Sequence, residues 1–228
     1  MIGAPWAVGG VDGCKSGWVL AGMGPDGSLG LELHSAIDTV LERVSGVVAI
    51  DMPIGLPEAG PRACDLAARG LLGARRHSVF PAPLRSMLEA RSHAEACALG
   101  RRTDGRGLSL QSWNLIPKIR EVDEYASRVP AGRLIEVHPE LSFRGMQGGH
   151  PLFASKKTEE GRQQRAKLLR QAFADWLPQR APAGSGVDDV LDAFAALWTA
   201  LRHRDGLAVP TTAAEERDAR GLLMQIHW

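Results

Sequence analysis

The chain has 228 residues, 44% of them hydrophobic, enough to bury one full core. Its 27 Lys and Arg balance 26 Asp and Glu, so the formal net charge of +1 excludes a global pull on nucleic acid and leaves only local patches. Cys14, Cys64 and Cys97 are an odd number without CxxC spacing, which argues against a disulfide framework or a thiolate zinc site. With no signal-peptide pattern and no apolar run near the ~20 residues of a membrane helix, a cytoplasmic protein without membrane contact is expected.

In chain order, residues 6–12 and 17–24 read as two strands joined by a glycine-bounded turn, with Asp12 at the end of the first. "LGLELHS" (29–35) alternates as a more exposed third strand would. "AIDTVLERV" (36–44) has apolar residues at helical spacing. "GVVAIDMPIG" (46–55) is a continuous apolar run that suits a central strand, ended by Asp51. A helical insert is expected over about 57–131, with helices at 62–73, at 83–100 (Pro83 to start, Gly100 as C-cap) and at 113–129, starting near Pro117. "RLIEVHPELSF" (133–143) returns to strand, with Leu134, Glu136 and His138 on one face. Residues 156–177 read as a helix with a basic face and 178–186 as a Pro/Gly linker. A helix over 187–206 and a late strand near 221–228 complete one α/β domain, a mixed sheet flanked by helices.

The carboxylates are the candidate chemistry. In open α/β sheets, functional groups gather at the carboxyl ends of strands, where Asp12 and Asp51 both lie. Each alone also fits turn chemistry or strand termination. Asp188 and Asp189 sit where first-turn and capping acids belong. Asp192 does not. From Ala193 to Leu201 its helix carries no charge, and a helix apolar all round is buried. A carboxylate in its second turn needs a partner or a metal. Asp189 and Asp192, three residues apart, share a face. An all-oxygen set of this kind suits hard cations such as Mg²⁺ or Mn²⁺. Glu136 is either a solvated strand residue or a further ligand, and His138 would orient a ligand or move a proton.

"GVDGCKSG", Asp51 after "VVAI", and "DVLDAFAALWTA", in this order of elements, resemble the ribonuclease H-like fold and its RuvC-type Holliday-junction resolvases. More closely, "VGGVDGCKSGWV", "AIDMPIGLPEAGPRACDLAAR", "SVFPAPLR", "SLQSWNLIPKIREVDE", "IEVHPELSF" and "DDVLDAFAALWTA" resemble an uncharacterised prokaryotic family, domain-of-unknown-function family four-two-nine, described as predicted RNase H-like nucleases. The resolvase resemblance implies catalytic and metal-binding roles for Asp12, Asp51, Asp189 and Asp192. Asp51 departs from it, since the resolvases carry glutamate there, and Glu136 is the residue that would compensate.

The resemblance implies hydrolysis of DNA or RNA phosphodiesters through two Mg²⁺ or Mn²⁺ ions ~4 Å apart. Arg62, Arg75, Arg76, Lys118 and Arg120 of the insert would flank the phosphate; the basic stretch 156–170 reads first as a solvated helix face and is otherwise the best local candidate for a nucleic-acid footprint. Trp113 would stack a base or, as tryptophans among apolar neighbours do, join the core. Two other classes are open. One is a non-catalytic domain whose acids hold an ion or pair with arginine. The other is a sugar-kinase-like ATPase, which the single D-x-G hairpin argues against.

Overall fold

The computed structural model describes residues 5–174, 177–178 and 180–228. Three strands open the chain: β1 (Val8–Cys14), β2 (Gly17–Met23) and β3 (Leu29–His34). After α1 (Ile37–Arg43) comes β4 (Val48–Ile50). Between β4 and β5 (Leu134–Val137) lie α2 (Ala63–Leu72), α3 (His93–Asp104) and α4 (Leu110–Ala126), with 3-10 turns at Gly73–Ser78 and Arg85–Glu89. Then follow α5 (Pro139–Met146), α6 (Glu159–Ala172), α7 (Val187–Arg204) and β6 (Ile226–His227). The result is a mixed α/β architecture whose six-stranded sheet has the order β3-β2-β1-β4-β5-β6. β1, β2 and β3 are antiparallel neighbours, and β4, β5 and β6 continue parallel to β1.

Side-chain alternation assigns the two faces of the sheet. Val11, Leu20, Val48, Ile50 and Leu134 pack towards α1 and α4. Val8, Val19, Ala21, Ala49, Ile135 and Val137 pack towards α7. Helix α7 is buried as its composition requires, and it lies against β1 at backbone distance. A Cβ at Gly10 would fall 1.9 Å from the Leu197 nitrogen and 2.3 Å from the Ala193 oxygen. Only glycine admits that approach.

Four sequence expectations shift. The helix expected over 83–100 is two pieces, a 3-10 turn and α3, with extended Ala90 between them. Ser92 caps α3 there: Glu95 N–H donates to Ser92 Oγ at 3.2 Å, and Glu95 Oε2 accepts the Arg91 N–H at 2.8 Å. Gly100 lies inside α3, and Gly105 (φ 76°) terminates it. Helix α4 begins at Leu110, two turns ahead of Pro117, because Ser109 caps it through the Ser112 N–H at 3.0 Å. Pro117 sits inside that helix at the loss of one hydrogen bond, which buried Ile116, Ile119 and Val122 outweigh.

The strand expected over 133–143 ends at Val137. Pro139 takes the first position of α5, where a missing N–H costs nothing, and Glu140 becomes a helix residue. Helix α6 is shorter than the expected 156–177. Residues 175, 176 and 179, within that expectation and the expected linker, lie outside the described residues. All three cysteines are free and buried, and no described helix is long and apolar enough to cross a membrane.

Candidate carboxylate site

The register of the central strands brings Asp12 and Asp51 side by side. Val11 faces Ile50, so the next residue of each strand is an aspartate on the face that α7 covers. Because Gly10 lets α7 rest on β1, Asp192 arrives at the same point from the helix. The three carboxylates line one cleft of about 570 Å³. Its far wall comes from the insert, including Arg75, Phe80 and Leu115, and its rim from Ser155, Lys156 and Lys157.

Electrostatics marks these three acids out. Asp12 is 9% exposed and Asp192 is 2% exposed. Burial, then the Asp192 and Asp51 carboxylates, push the Asp12 carboxyl well above its ordinary value. Burial also raises Asp51 against the opposing pull of His138 and Lys156. Asp192 is pushed up to about 6 by burial, with Lys156 pulling down and Asp51 pushing up. Among the described residues, the cation bonded within this set is Lys156, whose Nζ donates to Asp192 Oδ2 at 2.6 Å. Burial alone would lower that ammonium, yet Asp192, Asp51 and Asp12 hold it above its ordinary value.

The remaining expected residues take other places. Asp189 accepts the Gly186 N–H at 2.8 Å through Oδ2 and so closes the N-terminus of α7, while its charge still reaches Asp12. Asp188 is half-buried, and its Oδ1 is buried without a hydrogen bond.

Glu136 lines the cleft but stands one residue out of phase, paired in register with Ile50 rather than beside Asp51. Both its oxygens are taken at 2.7 Å by Arg62, which also bonds Asp65, and Ile54 N–H adds 2.8 Å. Arg62 is thereby a buried structural cation, and Glu136 has no oxygen left open on the carboxylate cluster.

His138 caps α5 and lines the cleft; its Nε2 lies 3.2 Å from the Ser78 carbonyl oxygen, and its buried Nδ1 has no partner. Arg75 lines the cleft 3.6 Å from Glu140. Lys118 lies over the β1–β2 turn instead, donating to the Gly17 oxygen at 2.6 Å above the Trp18 ring. Arg120 is spent on the Leu88 and Ala90 carbonyls, and Trp113 packs in the core.

The basic stretch 156–170 is not one surface. Lys156 reaches into the site, and Arg165 is fully buried with both Glu140 oxygens at 2.6 and 2.8 Å. Lys157, Lys167 and Arg170 stay exposed. Lys156 was expected only as one cation of the basic stretch flanking the phosphate, and its bond to Asp192 was not foreseen. Nothing in helical periodicity marks Lys156, because it precedes the Thr158 cap and is carried by a turn.

Among the described residues, no group of three or more His, Cys, Asp or Glu is placed so that it could hold a metal ion. The chemistry of the set is of the kind a hard cation takes: three carboxylates in one cleft with one bonded ammonium, and the cleft-lining His138 with its buried Nδ1 unpartnered. No curated protein and no solved structure matches the chain. The model of a family described as proteins of unknown function, DUF429, matches residues 10–217, and the chain belongs to that family.

Proposed function

We propose that the cleft is the active site of a metal-dependent nuclease. The observation that carries this reading is the convergence of Asp12, Asp51 and Asp192 from two strand ends and a buried helix, with less positive charge around them than they need. The antiparallel β1–β2–β3 followed by parallel β4 and β5, with an acidic helix laid on β1, supports the ribonuclease H-like comparison. Asp12, Asp51 and Asp192 would hold Mg²⁺ or Mn²⁺. Asp189 would support them electrostatically through its effect on Asp12. The ion would supply an activated water and charge neutralisation at the phosphodiester. Arg75 and Lys157, at the cleft wall and rim, would hold the phosphate, while His138, near Asp51, would hold or move a proton.

The test is an assay with Mg²⁺ or Mn²⁺ on branched DNA, RNA–DNA hybrids and single strands. Cleavage is expected in wild type and its loss in Asp12→Asn and Asp192→Asn. Cleavage indifferent to both substitutions sinks the assignment. The 2.6 Å pair of Lys156 and Asp192 favours a second reading, a non-catalytic domain whose acids are held by basic side chains. It predicts no cleavage and no binding of Mn²⁺.

A further inference from the structure

Charges around the cleft fall into closed groups and one open group. Arg165 takes both oxygens of Glu140, and Arg62 takes both oxygens of Glu136. Left over are Asp65, also bonded by Arg62, and Arg75, beside Glu140, which have opposite sign. Lys118, bonded to the Gly17 oxygen, feels Glu121, Asp12 and Asp189 together but bonds none of them. The open group is Asp12, Asp51 and Asp192, which have one bonded ammonium, that of Lys156, among the described residues. That ammonium already occupies Asp192 Oδ2, an oxygen that a second ion in the cleft would need.

The lysine is held in place. Its turn is closed by Thr158 N–H and Thr158 Oγ1 donating to the Ser155 carbonyl oxygen at 2.9 and 2.8 Å. Arg165, itself locked to Glu140, donates to the preceding Ala154 oxygen at 3.2 Å. Thus the ammonium is delivered by a braced turn, with its stem partly exposed and its tip against a carboxylate that is 3% exposed. A lysine in such a position is a built-in cation rather than a swinging plug.

We infer that Lys156 stands in for one of the two cations such a carboxylate set would otherwise take, so that this site holds a single divalent ion beside Asp12, Asp51 and Asp192. This rests on the metal-dependent reading of the cleft. Lys156 is therefore a positioning residue that supplies charge, and the substrate phosphate would meet one metal ion and one ammonium.

The experiment is a titration of the full chain with Mn²⁺, read by free-ion electron paramagnetic resonance and by calorimetry. Wild type should saturate at one ion per chain. Lys156→Met should take a second ion, and the metal dependence of cleavage should change from first to second order. Lys156→Arg, which keeps the charge, should restore a stoichiometry of one. Thermal unfolding of both variants checks that they fold; the half-exposed stem predicts that they do. Two ions in wild type, or a Lys156→Met variant that binds as wild type does, overturns the inference while leaving metal dependence standing. No Mn²⁺ binding by wild type removes the metal reading and this inference together.

Discussion

Two sets of largely buried acids line one cleft, and they are held in opposite ways. Glu136 and Glu140 each have both oxygens taken by one arginine, Glu136 in a two-nitrogen fork from Arg62 and Glu140 by the single Nη2 of Arg165. Asp12, Asp51 and Asp192 share a single lysine on one oxygen. The same contrast recurs away from the cleft, where Asp123 and Asp218 are gripped by Arg85, and Asp123 by Arg220 as well. Arg62 ties the insert to β5 through Glu136, and Arg85 ties the insert to the C-terminal segment through Asp218. The acids without an arginine are available to a ligand. Burial alone does not separate the sets, since Glu140 at 3% exposure is as buried as Asp192 at 2%. The identity of the partner does.

The contrast is open to breaking from both sides. Arg62→Met strands Glu136 and Asp65 without a cation, and a loss of about 3–5 kcal/mol in urea unfolding is expected. A loss below 1 kcal/mol would remove the structural half of the comparison. Asp12→Asn should act the other way. It keeps an acceptor for the Gly13 N–H while removing an uncompensated charge, so its thermal midpoint should equal or exceed that of wild type. Its nuclease rate should fall roughly a hundredfold or more, the several kcal/mol that a metal site supplies. Next in size, Mn²⁺ at a hundred times its dissociation constant should stabilise wild type by about 2.7 kcal/mol and Asp12→Asn far less, read by thermal shift.

The smallest effect is on pH and lies at neither set. Burial, then the neighbouring His203 ring at 5.0 Å, push His227 down to about 4. Between that value and its ordinary one near 6.5 the unfolded chain holds the extra proton. Stability contributed by neutral His227 is therefore present above about pH 6.5 and is lost as pH falls towards 4. Unfolding midpoints of wild type and His227→Gln should diverge from neutral pH down to pH 4.5, by on the order of 1 kcal/mol. Parallel curves would show that the ring titrates normally.

Three of the converging acids were legible in the sequence for sound reasons. Strand ends announced Asp12 and Asp51, and an uncharged helix announced Asp192. Glu136 was misplaced because alternation gives a strand its two faces but not which face meets which helix. That needed the register Ile50–Glu136. Lys156 was hidden for another reason. A charge run reads as one patch, whereas the chain turns at Ser155 and sends Lys156, Arg165 and Arg170 in three directions. The insert was legible as helical, but Pro117 and Gly100 misled about its boundaries, since tertiary packing overrode both as punctuation.

The bare Cα of Gly10 has a meaning beyond packing. The spacing between the strand-borne aspartates and the helix-borne one is set by main chain touching main chain, not by rotamers that could readjust. The bite of the site is thus a dimension of the scaffold. One added methyl at position 10 would prise α7 off β1 and widen the gap between Asp12 and Asp192, with every ligand still in the sequence. Gly10 therefore sets the distance between the strand-borne and helix-borne aspartates without touching either of them.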